Sequence, residues 1–227
     1  MAAGIALADR DGIESISMRK LAQELGVEAM SIYTHVRNKD DLLDGMVDAV
    51  IGQIPTTADG AGGADSADGA DGADGTDSAA DADWATTLRQ MALAARAVIL
   101  THPWAPPVIE SRTAPGPATL RYIDAALSVL RKGGFTVAQT HHALHILGSR
   151  LLGFTQDLFD DSAGSSGALD PETAAGIVSE LGATLPYIAE MALAVTHQGA
   201  LGGCDDDAEF QFALDFINDG LAGLQNR

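Results

Sequence analysis

Residues 18–39 read MRKLAQELGVEAMSIYTHVRNK. Leu21, Ala22 and Leu25 fall on one helix face, and Gly26 stands where a helix ends on a left-handed residue. A second short helix begins near Glu28 and turns Ile32 and Val36 inward. Asn38 is placed as an N-cap, with Asp40 and Asp41 in the first turn, where the helix dipole favours acids. The helix that follows carries Leu42, Met46, Val50 and Ile54 at i+4 spacing, reinforced by Leu43, Val47 and Ile51. Two apolar stripes predict packing on two sides. Two short helices joined by a tight glycine turn, with a third behind, are the parts of a helix-turn-helix reader of duplex DNA.

The second short helix spends its inward positions on Ile32 and Val36, which leaves Ala29, Met30, Tyr33 and Thr34 facing out. Small and apolar side chains suit thymine methyls, and hydroxyls suit phosphates or base edges. Arg19, Lys20, Arg37 and Lys39 flank the helix as phosphate anchors. The net charge of −19, from 13 Lys and Arg against 32 Asp and Glu, has the wrong sign for a protein that coats phosphates. Its distribution matters more. Residues 1–54 hold five basic and nine acidic side chains, residues 55–83 hold eight Asp and no base, and residues 84–227 hold eight basic and fifteen acidic ones.

That middle stretch is an imperfect Ala-Asp-Gly repeat without a large apolar side chain, so nothing offsets the entropy of ordering it. It predicts a solvated, self-repelling linker over 55–83 between a reading domain, 1–54, and a second domain, 84–227. Beyond it the pattern is again helical. Trp84, Leu88, Met91, Ala95, Val98 and Ile99 form one stripe, which ends at His102-Pro103. Pro103 to Pro117 leaves room for one short helix. Leu120, Ile123, Leu127 and Leu130 form the next stripe, closed by Gly133-Gly134. Thr136 and Gln139 have capping-box spacing at the head of a helix through Leu144, Leu147, Leu151, Phe154 and Leu158. Asp170-Pro171 reads as N-cap and N1, Pro186 as a break or restart. The last helix, about 207–224, is apolar at Phe210, Leu214, Ile217, Leu221 and Leu224, with Phe212 and Phe216 on a neighbouring face. No stretch alternates with period two, so the fold class is all-α.

One cysteine, Cys204, excludes an internal disulfide framework and a cysteine-rich zinc module. The longest uncharged run, Gly133 to Ser149, contains three histidines and is no bilayer span. With no secretory start, the chain reads as a soluble, cytoplasmic protein without a membrane partner. No Ser-His-Asp signature, phosphate loop or activated cysteine points to an enzyme. His141 and His145 share a helix face at a spacing that suits a metal, yet HHALH lacks the glutamate of a zinc protease. Metal binding, hydrogen bonding in a ligand pocket and ordinary packing all stay open for them. No cofactor and no metal site is assigned.

The stretch Ile5 to Ile54 resembles the DNA-binding domain of the tetracycline-repressor (TetR) family, most specifically in KLAQELGV followed by YTHVRNKDDLLD. The resemblance implies that Arg19 clamps phosphate, that Ala29, Met30 and Ser31 meet bases, and that Tyr33, His35 and Lys39 fix the backbone register, with Thr34 beside them. Family members carry a further stretch ahead of MAAGIALADRDG, so the first helix is expected to be short and DNA binding weaker for it. Trp84 to Thr101, HPW at His102, SRT at Ser111, GGFT at Gly133 and LLGFTQDLF follow the family's C-terminal domain. That domain dimerises through a four-helix bundle, here roughly 136–160 and 207–224, and encloses an effector pocket.

Met91, Ala95, His102, Trp104, Ile109, Tyr122, His141 and His145 are the expected pocket residues. The family's tetracycline contacts do not carry over. Its connecting-helix histidine falls near Pro55, its Asn and Phe on Met91 and Ala95, and its metal-binding histidine at about Ile109. A less polar organic effector is expected. The functional expectation is therefore a homodimeric repressor, released by a small molecule from a near-palindromic operator whose half-sites lie about 34–36 Å apart. The alternative is an orphan DNA-binding member with no effector. With so long a linker, coupling must run through packing of helix 39–54 on the second domain. Deleting Asp59–Asp77 should then leave operator affinity and induction nearly intact in fluorescence-anisotropy titrations. Loss of induction with DNA binding preserved contradicts it.

Overall fold

The computed structural model describes residues 1–56, 77–153, 171–194 and 205–225. Every regular element among the described residues is helical. They are α1 (Ala2–Asp11), α2 (Met18–Leu25), α3 (Ala29–Ile32), α4 (Lys39–Ile51), α5 (Asp77–Thr101), α6 (Ala105–Ser111), α7 (Pro117–Lys132), α8 (Val137–Leu152), α9 (Pro171–Thr184), α10 (Pro186–Ala194) and α11 (Asp206–Gln225), with a 3-10 turn at Ile13–Ser15. The chain divides into two compact units, Met1–Leu152 with Ile217–Arg227, and Gly153–Phe216. In the second unit α9 and α10 pack on each other.

The helix ends form where local chemistry places them. Gly26 is left-handed at φ 66°, and its N–H donates back to Ala22 and Gln23. Asn38 accepts from the Asp41 N–H at 2.8 Å. Thr136 and Gln139 cap each other, Thr136 N–H donating to Gln139 Oε1 at 2.7 Å and Gln139 N–H to Thr136 Oγ1 at 3.2 Å. Pro186 restarts the chain as the first residue of α10. The short reading helix is a single turn, and His35 and Val36 follow it by donating to the Ile32 carbonyl at 2.9 and 3.0 Å.

Three expectations change. Helix α5 begins at Asp77, seven residues inside the stretch read as linker. Once a helix is nucleated at Trp84, propagation back through alanine is cheap. Residues 57–76 lie outside the described residues, as do Phe154, Leu158, Asp170 and Cys204. Leu120 is exposed, and α7 turns Ala118, Ala126 and Leu130 inward instead. The third change is that no break in packing falls at residue 54. The buried cluster of Leu7, Ile16, Leu21, Ile32, Val36, Leu42 and Met46 runs on into Ala95, Trp104, Ala105, Val108 and Ala118. The fourth observation concerns the compact units, which divide after Leu152.

Helix α4 is the shared element. Leu42, Leu43, Met46, Val47, Val50 and Ile51 are all buried, and it packs against α1, α5, α6 and α7. Three polar joints fix its neighbourhood. Asp48 Oδ1 accepts from the N–H groups of Ala118 at 2.7 Å and Thr119 at 3.3 Å, so a side chain of α4 caps the first turn of α7. Gly116 permits that approach, because a Cβ there would lie 2.4 Å from Asp48 Oδ1. Arg112, just after α6, pairs with Asp44 at 3.1 Å and Asp40 at 3.5 Å. Asp9 of α1 accepts from Trp104 Nε1 at 2.6 Å and lies 2.8 Å from His102 Nδ1. Asp48→Ala should lower the unfolding free energy by about 1–2 kcal/mol, read by urea denaturation, because two helix N–H groups lose their acceptor.

Candidate functional site

One face of the first unit carries the residues expected to read DNA. Met30 is 73% exposed and Tyr33 48%, and Arg19, Ser31, Thr34, His35 and Lys39 are exposed beside them. Ala29 differs. It is half-buried against the core cluster and offers only part of its methyl surface. The Thr34 hydroxyl donates to the Ser31 carbonyl at 2.7 Å, which ties down the turn after α3.

The flanking bases divide into two kinds. Lys20 pairs with Asp11 at 2.8 Å, and Arg10 pairs with Glu24 and Asp11 at 3.1 Å. Hydrogen bonds from Lys20 and then Arg10 hold the Asp11 carboxyl below its ordinary range. Arg37 grips Asp41 at 2.6 Å and lowers that carboxyl too, first through its side chain and then through its backbone N–H. Arg19 and Lys39 have no ion-pair partner among the described residues. Of the four bases expected to anchor phosphate, Arg19 and Lys39 are thus the ones without a competing carboxylate.

A partly open, apolar cavity of about 210 Å³ lies among the helices of the first unit. Its walls come from α5 (Leu88, Met91, Ala95, Ile99), α6 (Ile109), α7 (Thr119, Tyr122, Ile123, Ala126) and α8 (Leu144, Leu147, Leu151). Ile51 and Ile54, at the end of α4, close it. No charged side chain lines it. The Tyr122 hydroxyl donates to the Met91 carbonyl at 3.2 Å, and its oxygen keeps its capacity to accept. Burial pushes the Tyr122 pKa up to about 12.

Of the expected pocket residues, Met91, Ala95, Ile109 and Tyr122 line this cavity, and four do not. His102 and Trp104 are buried but turned to Asp9, because a buried imidazole and indole N–H need partners and the carboxylate of α1 supplies both. His141 and His145 stand exposed on the outer face of α8, while its inner face presents leucines. Sequence reasoning missed Ile51 and Ile54 as cavity residues. Their signal was present in the two apolar stripes that run through α4 and on to Ile54. The polar joints made by Asp9 and Asp48 left no periodic signal.

Residues 1–46 match the pattern of bacterial regulatory proteins of the tetR family, and residues 78–225 match the tetracyclin repressor-like C-terminal domain. The chain belongs to the TetR family of bacterial regulatory proteins. The HTH-type transcriptional repressor DrrR1 of Streptomyces coeruleorubidus is 30% identical over 151 residues, covering 66% of this chain and 49% of that protein. The class A tetracycline repressor from transposon 1721, from Escherichia coli, is 27% identical over 220 residues, covering 97% of this chain and 87% of that one. The Streptomyces coelicolor TetR family protein ActR, in complex with actinorhodin, shares the fold with a TM-score of 0.67 at 21% identity, covering 100% of this chain and 96% of that one. The chain spans about half the length of DrrR1 and of an HTH-type transcriptional regulator of Saccharopolyspora erythraea that is 31% identical over 135 residues. No helix among the described residues is long and apolar enough to cross a membrane.

The buried phenol makes a testable link between pH and stability. Its folded pKa is raised, so the proton is held more tightly in the folded chain than in the unfolded one, where an ordinary tyrosine ionises near 10. The stabilisation is complete below pH 10 and is lost as pH rises from 10 through about 12. Tyr122→Phe should flatten that alkaline loss in urea titrations, and ultraviolet difference spectra should show one fewer late-ionising phenol.

Proposed function

We propose that this chain is an effector-controlled transcriptional repressor that works in the cytoplasm as a homodimer on a near-palindromic DNA operator. Met30 and Ser31, with the part-exposed Ala29, read base edges in the major groove. Arg19, Tyr33, Thr34, His35 and Lys39 hold the phosphate backbone and set register. Residues 1–54 form the reading domain, the Ala-Asp-Gly repeat ahead of α5 the linker, and the helices from α5 onward the body that binds effector and pairs the two copies. Helices α8 and α11 supply the pairing surface, where Phe212 and Phe216 are 70% and 72% exposed on α11. The names of the repressor DrrR1 and of the actinorhodin-bound ActR support both halves of this function.

The observation that carries it is that Ile51 and Ile54 line the apolar cavity. A molecule seated there touches the helix on which the reading face is mounted. At about 210 Å³ the cavity is smaller than pockets of drug size, which start near about 300 Å³. A ligand seated there lies against Ile51 of α4. The effector is a neutral, largely apolar organic molecule, since an ion would be desolvated without a partner. One polar group on it has Tyr122 to meet. The same small volume favours, as the second reading, an orphan regulator without an effector. A thermal-shift screen of neutral apolar compounds separates the two, because a true effector raises the melting temperature.

Selection of bound duplexes from random DNA tests the central claim, and a two-fold-symmetric consensus is the expected result. Arg19→Ala and Lys39→Ala should each weaken binding evenly across sequences and reduce the salt slope by about one. Met30→Ala should instead alter the consensus. Failure to enrich any sequence would refute the proposal.

A further inference from the structure

Helix α7 presents two neighbouring stripes of different character. Thr119, Tyr122, Ile123 and Ala126 line the apolar cavity. Arg121, Asp124, Ser128 and Lys132 follow one another three or four residues apart, so they share the adjoining face of the helix. That second stripe lines an open cleft of about 600 Å³. Arg121, Asp124 and Lys132 are exposed, and Ser128 is half-buried. None of the four side chains has a hydrogen bond or ion pair among the described residues.

The cleft and the cavity adjoin. Ile51, Ile54 and Tyr122 line both, so the two spaces meet at those three side chains. The cavity alone is short of the volume of a drug-sized pocket, and the cleft supplies room beside it. Their chemistry differs. The cavity has no charged lining, whereas along the cleft Arg121 and Lys132 only donate, ionised Asp124 only accepts, and Ser128 does both.

We infer that the effector is an amphiphile, with an apolar body for the cavity and a neutral, hydroxyl-bearing head of the sugar or polyol kind for the cleft. This rests on the proposed effector-controlled function and adds the chemical class of the molecule. Hydroxyl groups both give and accept hydrogen bonds, so a head with several of them satisfies Asp124 and the two cations together. A carboxylate head meets Arg121 and Lys132 but is repelled by Asp124 on the same stripe, and a cationic head has the reverse difficulty. A purely apolar molecule gains nothing from the stripe. Hydrogen bonds to charged groups are stronger than those between neutral ones, which offsets the partial desolvation of a head held in an open cleft. All four polar residues come from one helix of one chain, so the head site does not depend on pairing of two copies.

The experiment titrates the full chain by calorimetry with octyl glucoside below its micelle concentration, 1-octanol and sodium octanoate, whose chains are alike and whose heads differ. Octyl glucoside should bind about tenfold more tightly than either of the others. Asp124→Ala, Ser128→Ala and Lys132→Ala should each lower its affinity about threefold to tenfold and leave that of octanol unchanged. Circular dichroism should be unchanged in every variant, because none of these side chains is bonded within the described fold. Equal affinities for the glucoside and octanol, or a preference that survives in all three variants, overturn the head-group assignment while the apolar effector site stands. Tighter binding of octanoate than of the glucoside overturns the neutral class. Binding of none of the three tells against the cavity as an effector site, and the inference falls with it.

Discussion

A carboxylate on one helix accepting the free N–H groups of another is what joins the two halves of this molecule. Asp48 projects from α4 to the first turn of α7, and Gly116 has no Cβ to block it. Apolar burial alone would hold α4 against its neighbours without fixing its angle, because the hydrophobic effect has no direction. Directional bonds remove that freedom. Asp44 and Asp40 on Arg112, and Asp9 on Trp104 and His102, add two further joints at different ends of the interface. All three use carboxylates of the first 48 residues. This accounts for part of the acidity that at first argues against a DNA-binding domain.

The cavity and the joints have opposite chemistry, and both properties matter to the proposed repressor. The cavity walls are leucine, isoleucine, alanine and methionine, which accept changes of shape at modest cost as long as volume is conserved. The joints are short polar contacts that hold in one geometry or break. Met91, Ala95 and Ile109 line a site without a charged side chain.

Residues of the candidate site were legible in proportion to their periodicity. Met91 and Ala95 fall on the inward stripe of α5, so their place in the cavity follows from a 3.6-residue repeat. His102 and Trp104 sit at a corner between helices, where spacing predicts burial but not the direction of the polar atom. Only the position of Asp9, more than ninety residues earlier, decides that they face the first helix. His141 and His145 were placed on one face correctly as a pair, but which face of α8 turns outward depends on where α5 and α7 pack.

The amino-acid sequence by itself determined the helices, their caps at Gly26, Asn38 and Thr136, and the outward set of Met30, Tyr33 and their neighbours. These features depend on interactions within four residues or on a repeat that any helix imposes. Tertiary structure decided that the reading domain and the body share one core, that Arg37 and Lys20 are occupied by carboxylates while Arg19 and Lys39 are not, and that α4 closes a cavity. The shared core and the cavity bring together groups distant along the chain, and no local pattern encodes which distant group will be near, whereas Arg37 and Asp41 are a local pair four residues apart. That information resides in the packing of whole helices, whose angles are set only when every apolar face and every buried polar atom is satisfied together.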